Sequence, residues 1–183
     1  MEIMKIIKLI AVFLLILTLF CGCSERQTVR LEYADRAFEC EMSWEWESIR
    51  YRATLTMGDV TDTSVGRDIS LSFSEPASLC GVRAERIDGR ERISLGDIVF
   101  EDTDISGLIK ITDVFRTDGD VLGSSLVTLG GEQTNLVKLR CDGRELSVYL
   151  SPEDGAPVRI CAEICGRETQ VDILRFDMKM PRE

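Results

Sequence analysis

The sequence predicts a mainly β protein, built as an antiparallel sheet with one covered face. Apolar residues recur at every second position through most of the body. The runs are separated by short turn sequences, including Asp-Gly at 88–89 and 142–143, and one stretch alone shows helical spacing. Alternation broken by tight turns marks antiparallel strands that present one side to a core and the other to water.

The first run is the clearest. Phe38, Cys40, Met42, Trp44 and Trp46 share one side of a strand, while Glu39, Glu41, Ser43 and Glu45 take the other. A turn at Glu47-Ser48 returns the chain through Ile49, Tyr51, Ala53, Leu55 and Met57, which makes an antiparallel hairpin. Val60–Asp68 is polar and reads as a loop. Ile69, Leu71 and Phe73 then alternate with serines, and runs at 83–87 and 92–100 flank Asp88-Gly89. Ile105, Leu108, Ile109, Thr112 and Phe115 fall at helical spacing, so 104–116 is expected to form a short helix on the apolar face.

Strand pattern resumes from Leu126 to Gly130 and, through Gly131-Glu132, from Leu136 to Cys141. Asp142-Gly143 leads into Leu146, Val148 and Leu150, and 158–165 turns at Gly166-Arg167 into 171–176. The total is nine or ten strands, with no internal domain boundary in 34–180.

The N-terminus has a different grammar. Lys5 and Lys8 precede an apolar stretch from Leu9 to Phe20 with Thr18 as its one polar member; Cys21-Gly22-Cys23-Ser24 follows, and the chain turns polar at Glu25. That is the order of a secretory signal, and the run is shorter than the roughly 20 residues a spanning helix needs. An uncleaved signal anchor is the alternative. Leu19 to Ser24 resembles the lipobox of bacterial lipoproteins, with Gly22 as the small residue before Cys23. Choosing Cys21 instead would set bulky Phe20 at that position. The resemblance implies cleavage after residue 22, a diacylglyceryl group on Cys23 and attachment to the extracytoplasmic face of a membrane. Residues 23–33 read as a flexible tether and 34–183 as the domain.

Setting aside Glu2, Lys5 and Lys8 leaves 20 basic and 31 acidic residues, a net charge of −11. This argues against nucleic acid, which is bound by neutralising phosphate, and against lying flat on an anionic bilayer. The chain has no His, which removes Ser-His-Asp chemistry, imidazole metal sites and an imidazole pH switch. Five cysteines follow the lipobox, Cys40, Cys80, Cys141, Cys161 and Cys165. An odd number cannot all pair within one chain, and most read as small buried apolar residues.

Asp102, Asp104, Ser106, Gly107 and Asp113 superficially fit a calcium loop. Asp rather than Glu at the twelfth place, and a preceding strand, favour a helix start with Asp104 or Ser106 as cap. Glu39, Glu41, Glu45 and Glu47 read as a solvated face rather than paired acid–base carboxylates. No nucleophile–base pair, phosphate loop or metal cluster stands out, so neither an enzyme nor a cofactor is expected.

The order of parts, with Pro76-Ala77-Ser78-Leu79-Cys80-Gly81 after a strand and Pro152-Glu153-Asp154-Gly155-Ala156-Pro157 before the last two strands, resembles the LolA/LolB-like lipoprotein-sorting carrier superfamily. The resemblance covers residues 34–178. It implies an incomplete, curved antiparallel barrel plugged by a helical segment, with a cavity for acyl chains of lipids or lipoproteins. On that reading Phe38, Met42, Trp44, Trp46, Leu55, Leu71 and Phe73 line the cavity. A non-catalytic docking or regulatory role toward another envelope protein, with a filled core, is the alternative.

Overall fold

The computed structural model describes residues 31–60, 66–116 and 119–179. The signal segment, Cys23 and the rest of the expected tether up to residue 30 lie outside the described residues, as does part of the expected 60–68 loop.

Eleven strands form one antiparallel sheet. In chain order they are β1 (Phe38–Trp46), β2 (Ile49–Met57), β3 (Ile69–Glu75), β4 (Val82–Ile87), β5 (Arg90–Leu95), β6 (Ile98–Glu101), β7 (Asp120–Leu129), β8 (Glu132–Cys141), β9 (Arg144–Leu150), β10 (Pro157–Ile164) and β11 (Arg167–Met178). The order across the sheet is β6-β5-β4-β3-β2-β1-β11-β10-β9-β8-β7. First and last strands therefore pair at the centre, and β6 and β7 are the two edges. The barrel is incomplete because these edges are not joined to each other.

The segment between the edges carries the plug. A one-turn helix α1 (Ser106–Ile109) continues as a 3-10 helix over Lys110–Phe115. Its apolar residues reach both wings of the sheet. Ile105 and Ile109 pack with Ala84 of β4, while Ile111, Val114 and Phe115 join the main core with β1, β2, β8, β9 and β10. A single sheet can meet one short segment on so many strands only by curving around it.

Five hairpins turn on two residues that both have positive φ, among them Asp88-Gly89 and Asp142-Gly143. This mirror-image turn follows the strands' natural twist. At Glu47-Ser48 (φ 52° and 64°) two non-glycine residues adopt it, so the hairpin is held by β1–β2 pairing and packing rather than by turn preference. Gly119 has a packing reason. A Cβ there would lie 2.4 Å from the Cys141 sulfur and 2.5 Å from the Arg140 carbonyl oxygen.

Several expectations are corrected. The expected 92–100 strand is two strands, because Gly96-Asp97 turns the chain. The last turn is Cys165-Gly166, one residue earlier than read, and β11 begins at Arg167. Leu31 and Tyr33, placed in the tether, are buried: the packed body starts three residues sooner. Tyr33 sits among Phe38, Phe115 and Phe176, with ring centroids 5.8–6.4 Å away. Arg67 clasps this segment, donating to the carbonyls of Ala34 and Gly58 at 2.8 Å and to that of Arg36, with its guanidinium over the Phe38 ring.

Only Cys40 and Cys141 are fully buried; Cys161 is half-buried, Cys80 and Cys165 are exposed, and none of the five forms a disulfide with another described residue. The acidic face is solvated as expected, with Glu41 bound to Arg52 at 2.7 Å, though Glu47 stands in the turn and pairs with Arg167 at 3.0 Å.

Candidate functional site

An apolar pocket of about 240 Å³ opens at the end of the barrel where β1 turns into β2. One wall is aromatic. Trp44 and Tyr51 are direct cross-strand partners with stacked rings, 5.3 Å between centroids and 11° between planes. Phe73 of β3 follows, its ring 6.3 Å from Trp44. Trp46 stands at the rim beneath the Arg167 guanidinium, 5.4 Å from the ring centroid. The pairing Arg52↔Glu75 then Ala53↔Phe73 contains a bulge, and such a bulge re-aims the neighbouring side chains.

The plug supplies the opposite wall with Gly107, Leu108, Lys110 and Ile111, and Leu79 and the Ile164–Cys165 corner complete it. Lys110 is the one basic residue in the lining; its ammonium lies 3.0 Å from Asp113, and the side chain is 40% exposed. Cys165 brings a thiol with positive φ at the turn. The lining therefore offers desolvation and one cation, with no nucleophile held against a base.

Of the seven residues expected to line a cavity, Trp44, Trp46 and Phe73 face this pocket. Phe38, Met42, Leu55 and Leu71 are sealed in the core at 0% exposure, covered by the plug and neighbouring strands. Period-two spacing marks the inward face but not how much of it the plug covers. Tyr51 and Leu108 had visible apolar periodicity, yet nothing local says where it points. Lys110, Ile164 and Cys165 carried no signal.

Neither Asp104 nor Ser106 caps the helix as expected: Ile105 takes the N-cap position without a side-chain cap, and Asp104 stands one residue before it. The Asp104 carboxylate accepts from the Ser106 hydroxyl and from the Ser106 N–H at 2.9 Å, and these hydrogen bonds hold its pKa below the usual carboxylate range. Asp113 faces Lys110 instead of a shared oxygen cage. A larger hollow of about 690 Å³ lies beside the Asp88-Gly89 turn, but it is lined by Arg90, Glu91, Arg92, Glu101 and Asp102 and is polar. It suits water better than an apolar ligand.

No protein-family model matches the chain, and no curated protein matches it. Solved structures share features of the fold. An uncharacterized conserved protein from Thermus thermophilus aligns over 79% of this chain and 80% of its own, at 14% identity and a TM-score of 0.48. MucB in the Pseudomonas aeruginosa MucA/MucB complex aligns over 84% of this chain and 56% of its own, at 14% identity and a TM-score of 0.44; this chain thus spans little more than half of MucB's length. A LolA superfamily protein from Nitrosomonas europaea aligns over 84% and 90%, at 11% identity and a TM-score of 0.40. These are likenesses of fold. An open antiparallel sheet with a helical plug on its covered face is the fold class expected from the sequence, and it is the architecture observed. No helix among the described residues is long and apolar enough to cross a membrane.

Proposed function

We propose that this chain is a lipid-anchored extracytoplasmic binding protein that takes the end of an acyl chain into the Trp44–Leu108 pocket. The observation that carries the reading is the pocket itself: a concave, mostly apolar space between sheet and plug with a lysine in its lining. At roughly 30 Å³ per methylene-sized group, the share one water takes in the liquid, the space holds about eight methylenes. At about 0.8 kcal/mol each, that is about 6 kcal/mol of desolvation before association costs, so tens of micromolar is the ceiling on the affinity this burial supplies and binding is weak and exchangeable. The function is non-catalytic: the chain end is desolvated and no bond is made or broken.

The anchor is part of the proposal. The lipobox-like segment supports it, and a diacylglyceryl group at Cys23 gives the two chains that hold a protein firmly on a bilayer. Native mass spectrometry of the body, residues 24–183, prepared from a membrane-containing host, tests the binding half. A co-purifying acyl species near one-to-one supports it. A bare mass that also fails to take up a fluorescent fatty acid rejects it.

One observation favours the docking alternative. Leu95, Ile98 and Phe100 are each at least half exposed, and register with Ala84 puts them on the plug-bearing face of the β4–β6 wing. An exposed apolar strip of that kind marks a protein contact. A bare mass together with retention on a specific envelope protein, lost in Phe100→Ser, would establish it.

A further inference from the structure

The two edges of the sheet are built differently. β6 is four residues long, follows Asp97 and ends in Glu101. Shortness and charge are how a sheet edge is kept from pairing with another chain. β7 is longer and its one charge stands at its first residue: it runs ten residues, Asp120–Leu129, and residues 121–131 hold no charged side chain in a protein that is 30% charged. It contains no Pro, and Leu122 and Leu126 are 42% and 58% exposed. An uncharged open edge of this length is a pairing template.

The turn fixes which backbone groups are free. β7 and β8 are joined by the two-residue turn Gly130-Gly131, so Leu129 and Glu132 close the ladder. The Thr134 hydroxyl donates to the Val127 carbonyl, which places that carbonyl on the β8 side. By alternation, Ser124, Leu126 and Thr128 direct their N–H and C=O groups to the open edge.

We propose that the β7 edge joins two copies of this chain, antiparallel and two-fold symmetric about Leu126. In that register Leu126 meets its own symmetry mate and Ser124 meets Thr128. The pairing spans 123–129 and ends at the bulge between Val121 and Gly123. Charge selects the occupant. The chain carries a net charge of −10, so approach of a second copy is least opposed where both surfaces are uncharged, and a two-fold axis brings the 121–131 strip against itself. No like charges face each other within the paired segment. A seven-residue strand contact buries less than the roughly 1,200 Å² of a standard stable interface, so the dimer depends on concentration.

The full chain tests this in the membranes of its expression host. Leu126→Cys is oxidised beside Val99→Cys, an equally accessible position on the protected edge, and beside the wild type, whose exposed Cys80 and Cys165 set the background. The expected result is a disulfide-linked dimer at least tenfold stronger for Leu126→Cys than for either control. Equal bands, or a crosslink to a protein of another mass, would overturn the proposal. Leu126→Lys sets two ammonium groups against each other. It is expected to leave the purified full chain monomeric by light scattering at concentrations where the wild type is partly dimeric, with a melting temperature within about 2 °C because the site is exposed. A wild type that stays monomeric across that range also overturns it.

Discussion

Trp44 and Tyr51 stack face to face across the first hairpin, and their shared surface forms the aromatic wall of the pocket. Phe38, six residues before Trp44 on the same strand face, lies outside this pocket's lining and instead meets Phe176 at 4.9 Å and Phe115 at 5.3 Å. One strand thus serves a filled core at one end and a partly open one at the other.

This division predicts opposite outcomes for two truncations. Trp44→Ala is expected to weaken uptake of a fluorescent acyl probe about tenfold or more, since about 1.4 kcal/mol of lost contact is tenfold in affinity. Leu55→Ala, at a sealed core position, is expected to cost about 2–5 kcal/mol of stability while leaving probe affinity unchanged. Titration and denaturant melts on both variants check it; equal affinity losses would reject the division.

The Tyr33 hydroxyl is buried with no hydrogen-bond partner among the described residues, and burial pushes its pKa far above the usual phenol range. An unsatisfied buried hydroxyl costs about 1–3 kcal/mol. Tyr33→Phe keeps the ring contacts and removes that cost, so it is expected to raise stability by about 1 kcal/mol. Thermal melting reads the change, and a loss of stability would reveal a partner for the hydroxyl.

Burial, reinforced by the neighbouring Glu39 charge, pushes the Cys40 thiol from 9.0 up to about 12. The sign follows from linkage. Above pH 9 the unfolded chain releases this proton while the folded chain keeps it, so stability falls as pH rises from about 9 to 12. The slope from this group approaches 1.4 kcal/mol per pH unit. Cys40→Ala is expected to flatten that decline, measured by urea unfolding at stepped pH.

Cys23→Ser is expected to move the protein from the membrane fraction to the soluble fraction, and the intact mass of the parent should show cleavage before Cys23 plus an acyl-bearing group. A parent chain that retains Met1 and carries no lipid would sink the anchor.

The sequence by itself determined most of the strands and their inward faces. The Phe38–Trp46 and Ile49–Met57 pair is local: alternation sets the face, and one short turn sets the register. The helical plug and the Asp-Gly turns are legible for the same reason. Sequence reading missed the split at Gly96-Asp97, where apolar residues continue on both sides of the turn. Only the tertiary structure decided that Leu31 and Tyr33 belong to the core, since that depends on Phe115 and Arg67, distant in the chain. The same holds for the pocket. An apolar side chain on a strand has the same local pattern whether a plug covers it or space lies above it, and coverage is set by where residues 105–115 settle across the sheet. That is why Met42 and Trp44, neighbours on one strand face, end with Met42 sealed and Trp44 lining an opening.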